Sequence, residues 1–260
     1  MKRERRLRLH VPNTITSINL ALGCLAATEA WTGRPERAAV YILACAVLDF
    51  LDGYAARMLG AYSAMGKQLD SLADLVSFGV APAAIASSLL ASGLEAAGWS
   101  EWSVSPAWSA GLPLLIPVFS AIRLGRFNLS ASKGPHFSGM PVPADAVSFS
   151  ALAFIASGEA TPIGGVLLNP VFISVLIVVN AWLMVAPMAM FSFKLKSYRP
   201  SANRWRYLFA AVSVLFIAFF RGYGLLAAFF LYVAASAVMN LVVGRSNETD
   251  EEYPSPADAG

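Results

Sequence analysis

The sequence predicts an all-α protein that crosses a membrane several times, and three observations lead to this prediction. The chain of 260 residues is 57% hydrophobic. Only 13% of its residues are charged, whereas soluble domains carry about a quarter. Several apolar runs reach the ~20 residues that a helix needs to cross a hydrocarbon core of ~30 Å. These features exclude a soluble domain with an apolar core, and we expect no nucleic-acid partner.

Length and hydrophobicity predict about eight membrane-spanning helices. They cover roughly residues 15–32, 38–58, 71–92, 108–124, 144–158, 170–192, 206–220 and 223–243. The connection 59–66, LGAYSAMG, is small and bounded by glycine, which is typical of a helical hairpin turn. Residues 246–260 are acidic, contain proline and lack apolar periodicity, so we predict a disordered tail there.

Lysine and arginine are distributed unevenly between the two sides that eight spans create. With the N-terminus in the cytoplasm, 16 of the 19 basic residues lie on the cytoplasmic side, and only Arg34, Arg37 and Arg221 lie on the other. The positive-inside rule therefore predicts that both termini are cytoplasmic, in a bacterial-type cytoplasmic membrane. The basic arm 1–11 has two interpretations. It lies along anionic lipid headgroups and is attracted to them, or it only contributes to the positive-inside bias that sets the topology.

Four aspartates interrupt the apolar pattern where the second span ends and the third begins: Asp49, Asp52, Asp70 and Asp74. Residues three or four apart share one face of a helix, and the short hairpin brings the two acidic faces together. Carboxylates so close cannot all stay ionised unaided. Hard cations such as Mg²⁺ or Mn²⁺ remove this conflict and are often shared with substrate phosphates. The alternative is a set of helix-end charges paired with Arg57 and Lys67, but two cations cannot balance four anions.

These residues resemble a known family. The pattern Asp49-x2-Asp52-Gly53-x2-Ala56-Arg57-x8-Gly66-x3-Asp70-x3-Asp74 is similar to the signature of the CDP-alcohol phosphatidyltransferase family at all eight fixed positions. The resemblance implies an integral membrane enzyme that displaces CMP from a CDP-linked lipid with an alcohol and depends on Mg²⁺ or Mn²⁺, with two ions expected. It also implies a catalytic six-helix core over 12–192, followed by a basic loop and two extra helices over 193–245. Members are commonly homodimers, so we expect a homodimer.

The resemblance implies a role for each position of the signature. Asp49, Asp52 and Asp70 look like metal ligands, and Asp74 looks like both a metal neighbour and the proton acceptor. The expected CDP-lipid contacts are Gly53, Ala56, Arg57, Ser63 and the hairpin residue Gly66. The sequence offers no Ser/His/Asp arrangement and no activated cysteine, so we favour direct attack on phosphorus over a covalent enzyme intermediate.

Segments outside the signature resemble the phosphatidylserine synthase branch of this family. These segments are 11–24, 77–83, 121–128, 137–144 and 193–200. The resemblance implies transfer of a phosphatidyl group from CDP-diacylglycerol to L-serine, giving phosphatidylserine and CMP. Asn13, Thr16 and Asn19 would then face the cytidine, and Arg123, Arg126 and Asn128 would receive the acceptor. Alternatively, Asn13 or Thr16 caps the first helix, and the two arginines serve the topology alone.

Two other functions stay open on the sequence. The acceptor alcohol could be glycerol phosphate, inositol phosphate or choline instead of serine. A cation transporter would use the aspartates as an ion pathway, but Glu29 and Asp145 are isolated near span ends and the other spans are almost free of acids. The last two spans carry no acidic residue, and we expect them to form an oligomer surface or a lipid-facing buttress.

Overall fold

The computed structural model describes residues 2–98, 107–130, 139–188 and 204–251, and within them the chain forms helices and no strand. Within these ranges, four helices are long and apolar enough to cross a membrane: Pro35–Leu59, Ala64–Ala96, Trp108–Leu129 and Val212–Val238. Val142–Ala156 and Pro170–Val185 are shorter apolar helices. The prediction of an all-α polytopic membrane protein is therefore confirmed. The side on which the termini lie stays a prediction.

The helices follow one another in the described ranges with few interruptions. In chain order they are α1 (Lys2–Trp31), α2 (Pro35–Leu59), α3 (Ala64–Leu75), α4 (Ala81–Ala96), α5 (Leu115–Ser130), α6 (Val142–Ala156), α7 (Pro162–Leu167), α8 (Pro170–Val185) and α9 (Arg204–Glu251). A single π-helical turn, Val76–Val80, joins α3 to α4. Arg221, with φ 48° and ψ −119°, divides α9 into two halves. Each of the eight predicted spans contains helix, and the two halves of α9 correspond to the last two.

Some helix ends differ from the prediction. Because α1 begins at Lys2, it includes most of the basic arm, and Asn13 and Thr16 lie inside the helix. The alternative in which either residue caps the first helix is therefore wrong. α7 forms between spans where the sequence predicts only a loop. α9 runs to Glu251, past the predicted start of the tail. Residues 252–260 and the segment 193–200 lie outside the described residues.

A tight hairpin connects α2 to α3, as the sequence predicts. α2 ends at Leu59 because Gly60 adopts a left-handed conformation with φ 57°, which glycine takes without a Cβ clash. Ser63 then caps α3, since its side-chain oxygen accepts a hydrogen bond from the backbone N–H of Gly66 at 2.9 Å. The two helices that carry the aspartates both pack against α1.

The contact between α1 and α2 differs from the outer surface of the bundle in residue size. α1 and α2 pack through small residues, among them Ala26, Ala30, Ala38 and Ala39, all of which are fully buried. Small residues let membrane helices approach closely. Large apolar side chains such as Phe50, Val118 and Phe219 are exposed on the outside. An apolar outer surface of this kind suits a hydrocarbon environment, in agreement with the long apolar helices.

Candidate active site

Three aspartates from two helices form an acidic group in this structure. Asp49 on α2 and Asp70 and Asp74 on α3 place carboxylate oxygens within 4.8 Å of one another, and all three residues are partly exposed. Asp70 and Asp74 share one face of α3 because they are four residues apart. α2 and α3 both pack against α1, and this brings the face of α3 close to the Asp49 carboxylate. A group of three carboxylates at this spacing can hold a metal ion.

The fourth predicted ligand, Asp52, lies beside the acidic group but faces α1. Thr16 Oγ1 donates a hydrogen bond to Asp52 Oδ2 at 2.7 Å, and Asp52 is buried. Asp52 is still close enough to interact electrostatically with Asp49, Asp70 and Asp74. The structure therefore brings three of the four predicted carboxylates together and fixes the fourth next to them.

The residues present fit a divalent cation. Asp74 Oδ1 is buried and has no hydrogen-bond partner among the described residues. A buried carboxylate oxygen without a partner is unfavourable, and the two neighbouring carboxylates add charge repulsion. No salt bridge joins Asp49, Asp70 or Asp74 to a lysine or arginine within the described ranges. A cation bound between the carboxylates would relieve both effects.

Gly53 faces open space on the same helix as Asp49 and Asp52. A Cβ atom built on Gly53 would meet no other atom within 4 Å, so packing inside the protein does not require glycine here. Ala56 is half-buried and Arg57 is exposed in the following turn. These three residues leave room for a ligand to approach α2 closely.

Gly66 and Ser63 have structural roles in the hairpin. A Cβ atom on Gly66 would lie 2.9 Å from Asn13 Oδ1 and 3.0 Å from Ser63 Oγ. The absence of a side chain therefore allows α3 to pack closely against α1, while Ser63 caps α3. The predicted contacts of Gly66, Ser63 and Asn13 with the CDP group stay predictions.

Asn19, one turn beyond Thr16 on α1, lies inside the bundle. It is fully buried, and its Oδ1 accepts a hydrogen bond from Ser77 Oγ at 3.0 Å. Its backbone carbonyl accepts a second, weaker one from Cys45 Sγ at 3.5 Å. Asn19 thus ties α1 to α2 and to the π-helical turn, which is a structural role that the sequence does not indicate.

The three predicted acceptor residues on α5 differ in what they contact. Arg123 is close enough to Asp74 to interact electrostatically. Arg126 donates a hydrogen bond to the carbonyl of Val185 at 3.2 Å. Asn128 Nδ2 donates to Ser71 Oγ at 2.8 Å and thereby ties α5 to α3. Of the three, Arg123 alone interacts with the acidic group.

One residue near the site was missed by sequence reasoning. Tyr232 on α9 is 6% exposed and interacts electrostatically with Arg123. A single tyrosine inside an apolar span belongs to no motif and breaks no periodicity. Its position depends on how α9 packs against the rest of the bundle, which the sequence alone does not indicate.

Comparison with known proteins places the chain near one family of membrane enzymes. The family model for CDP-alcohol phosphatidyltransferases matches residues 9–190. A CDP-diacylglycerol–serine O-phosphatidyltransferase of Mycobacterium leprae is 38% identical over 153 residues, which are 56% of this chain and 47% of that protein. The Bacillus subtilis protein of the same name is 37% identical over 145 residues, 56% of this chain and 76% of that protein. The Saccharomyces cerevisiae protein of the same name is 36% identical over 153 residues, which are 52% of this chain and 50% of that protein. The chain spans about half the length of the Mycobacterium and yeast relatives.

Proposed function

Because the chain belongs to the CDP-alcohol phosphatidyltransferase family, we propose that it transfers a phosphatidyl group from CDP-diacylglycerol to L-serine, giving phosphatidylserine and CMP. The relatives from Mycobacterium leprae, Bacillus subtilis and yeast are named for this activity. The observation that carries the proposal is the convergence of Asp49, Asp70 and Asp74 within 4.8 Å in an otherwise apolar chain. Such a group suits a diphosphate held through cations better than any neutral substrate.

Asp49, Asp70 and Asp74 would hold Mg²⁺ or Mn²⁺, with Asp52 as the adjacent ligand and two ions in all. When bound, such ions neutralise charge on the diphosphate and make CMP a better leaving group. Thr16 contributes by fixing the Asp52 carboxylate through its 2.7 Å hydrogen bond. A ligand held in this way needs little rearrangement when the site is filled.

Asp74 is the general base in this proposal. A serine hydroxyl loses its proton poorly near neutral pH, so a carboxylate within hydrogen-bond reach accelerates its attack. Asp74 also borders the cations in this proposal, so one of its carboxylate oxygens faces the metal and the other accepts that proton. The serine oxygen forms a bond to the phosphatidyl phosphorus, the bond from this phosphorus to the bridging oxygen breaks, and that oxygen leaves with CMP.

The remaining residues divide between the nucleotide and the acceptor. The open face of Gly53, Ala56 and Arg57 receives the CDP group. Asn13 lies at the hairpin beside Gly66 and is the α1 residue best placed to approach the cytidine. Arg123 supplies a fixed positive charge near Asp74 for the serine carboxylate. Arg126 and Asn128 support this arrangement by tying α5 to its neighbours.

The environment of the site is part of the proposal. The excess of basic residues on one side of the predicted spans supports a cytoplasmic membrane with the acidic group facing the cytoplasm. In that position the site meets water-soluble serine and membrane-bound CDP-diacylglycerol at the same surface. The proposed assembly is a homodimer.

An acceptor screen tests the proposal. The purified protein, reconstituted in vesicles that contain CDP-diacylglycerol and Mn²⁺, is expected to release CMP when L-serine is added. Glycerol phosphate, inositol phosphate and choline are tested in parallel as alternative acceptors. CMP release with one of these alcohols and none with serine would rule out serine and leave the reaction class intact. No CMP with any acceptor from folded protein would contradict the reaction class as well.

A further inference from the structure

A cavity of about 790 Å³ lies at the end of the bundle opposite to the acidic group. Its walls are helix ends: α2 begins there at Pro35, α4 ends there at Ala96, and α8 begins there at Pro170. Pro35 precedes Asp49 on α2 by 14 residues, which is about 21 Å along a helix. The volume is within the usual range of ligand sites, about 300–1,000 Å³, and no step of the proposed reaction uses it.

Two charged side chains that line this cavity are unpaired. Glu36 and Arg37 lie in the first turn of α2, and neither forms a salt bridge or a side-chain hydrogen bond with the residues that the structure describes. Arg34 also lines the cavity, but Glu29 Oε2 binds its Nε at 2.6 Å and its guanidinium donates to Thr32 Oγ1 at 3.1 Å. The cavity therefore offers a ligand both a cation and an anion that the protein does not already pair.

Two hydroxyl groups of α4 line the same cavity. Ser88 and Ser92 are four residues apart and so share one face of the helix. Neither makes a side-chain hydrogen bond within the described ranges, whereas the neighbouring Ser87 Oγ donates to the carbonyl of Ser109 at 2.9 Å. Unpaired hydroxyl groups beside an arginine suit the oxygens of a phosphate group.

The surface next to the cavity is apolar. Large exposed side chains follow or precede the lining residues Gly33, Gly165 and Pro170 by one or two positions: Trp31, Ile163, Val166 and Val171. In a membrane protein such side chains contact lipid, and tryptophan prefers the zone where acyl chains meet headgroups. The phosphate compounds nearest to this cavity are therefore phospholipids.

We propose that the cavity binds the headgroup of a zwitterionic phospholipid from the leaflet opposite to the acidic group. Arg37, Ser88 and Ser92 bind its phosphate, and Glu36 binds its ammonium group. A phospholipid without an ammonium group leaves the Glu36 carboxylate unmatched, so the cavity prefers an amino-phospholipid. The bound lipid joins the ends of α2, α4 and α8. This inference does not depend on the proposed reaction, because neither serine nor a CDP-lipid takes part.

Native mass spectrometry of the delipidated full chain in detergent tests the proposal. Phosphatidylethanolamine, which carries an ammonium group, and phosphatidylglycerol, which does not, are titrated separately. The wild type should bind phosphatidylethanolamine about fivefold more tightly, the upper range for one exposed ion pair. Arg37→Gln should weaken both lipids about fivefold. Glu36→Gln should weaken phosphatidylethanolamine alone and so remove the preference.

Three further variants complete the test. Arg37→Lys keeps the charge and should bind both lipids more tightly than Arg37→Gln does. Arg57→Gln is the matched control, because it removes an exposed arginine from the other end of α2 and should leave both affinities unchanged. Ser92→Leu fills part of the cavity without a change of charge and should weaken both lipids, which keeps the proposal testable if Arg37→Gln does not fold.

Several outcomes would overturn the inference. Wild-type affinities in Arg37→Gln and Ser92→Leu contradict a site in this cavity, and so does an equal loss in Arg57→Gln. An equal effect of Glu36→Gln on both lipids contradicts the ammonium contact. Displacement of the lipid by an equal concentration of O-phosphoethanolamine would assign the cavity to a soluble phosphate compound. These measurements contain no CDP-diacylglycerol, so their failure leaves the proposed function untouched.

Discussion

Asp145 on α6 and the acidic group of α2 and α3 both place carboxylates in apolar helices, but their surroundings differ. Asp145 is fully buried, and its Oδ1 accepts a hydrogen bond from Asn180 Nδ2 at 2.8 Å. The same amide nitrogen lies 3.0 Å from Ser148 Oγ. This polar set pins α6 to α8 within the core. One oxygen of Asp145 is therefore held by a neutral side chain, whereas its Oδ2, like Asp74 Oδ1, has no partner among the described residues.

The acidic group differs because it brings three carboxylates together, whereas Asp145 has only neutral hydrogen-bond partners. Asp49, Asp70 and Asp74 are partly exposed and face one another, and Asp74 Oδ1 has no partner among the described residues. Like charges in contact raise the energy of the folded protein unless a ligand neutralises them. The comparison teaches that an acidic residue in a membrane helix does not by itself indicate a site. The convergence of several carboxylates at one place does.

The largest effect is expected from Asp74→Asn, which removes the proposed base. CMP release should fall by about 10²- to 10⁴-fold, the usual contribution of general base catalysis. Binding of CDP-diacylglycerol should be largely kept, because the amide removes a base more than a phosphate anchor. Turnover and lipid binding are measured on the same preparation.

Two matched variants sharpen this test. Asp145→Asn makes the same chemical change outside the acidic group and should keep near-normal turnover. Asp49→Asn should weaken metal and lipid binding together. If Asp74→Asn loses lipid binding as much as Asp49→Asn does, the role of Asp74 is mainly metal ligation and its assignment as the base is wrong.

Gly53→Leu is expected to have the next largest effect. The open space at Gly53 accepts the side chain in the free protein, so the thermal unfolding midpoint should change little. The KM for CDP-diacylglycerol should rise about 10- to 100-fold, because the leucine fills space that the ligand needs. An unchanged KM would refute the close approach of the nucleotide to α2.

Gly23→Leu is the control for this substitution, since it replaces a glycine that packing does require. A Cβ atom on Gly23 would clash with Ser77 Oγ and lie 2.9 Å from Ser77 Cα. This variant should lower the unfolding midpoint by several degrees. The two variants therefore distinguish a glycine needed for ligand binding, which affects KM, from a glycine needed for helix packing, which affects the unfolding midpoint.

Asn180→Ala tests the polar set around Asp145, the second region of the comparison. It removes the amide that donates to Asp145 and leaves a buried carboxyl group without its partner. The free energy of unfolding should fall by about 1–3 kcal/mol. The KM values for both substrates should stay close to normal, because this polar set does not reach the acidic group. Denaturant unfolding in detergent measures the free energy of unfolding. A rise in the serine KM would contradict the account, because it would show that the polar set around Asp145 affects the acidic group.

The smallest effect is expected from Asp70→Asn in the presence of a chelator. Asp70 and Asp74 are four apart on α3, and like charges at this spacing destabilise a helix by about 0.2–0.5 kcal/mol. The variant should therefore be slightly more stable than the wild type without divalent ions. Added Mn²⁺ should reverse the order, because the wild type gains more from binding. Thermal unfolding with and without Mn²⁺ measures this, and lower stability of the variant in chelator would contradict the account.

Much of the fold follows from the sequence because the bilayer limits what a span can be. Length and hydropathy predict the apolar spans, each of which contains helix, but not α7, and the glycines of 59–66 predict the hairpin. The acidic group follows from spacing on two adjacent helices. Local rules therefore suffice for these features.

The rest depends on contacts between distant parts of the chain. Asp52 faces Thr16 because of how α1 packs on α2, and Asn19 binds Ser77 because α1 also packs against the π-helical turn. Tyr232 approaches Arg123 only through the packing of α9 on α6. Helical periodicity shows which residues share a face, but it does not show which neighbour that face meets.

Titration of Mn²⁺ into purified, chelator-treated protein measures most directly whether the acidic group is a divalent cation site. Isothermal titration of the full chain should show saturable binding for the wild type and for Asp145→Asn. The double variant Asp49→Asn/Asp74→Asn should show none. Unchanged Mn²⁺ affinity in the double variant, or an equal loss in Asp145→Asn, would contradict the assignment of the metal to α2 and α3.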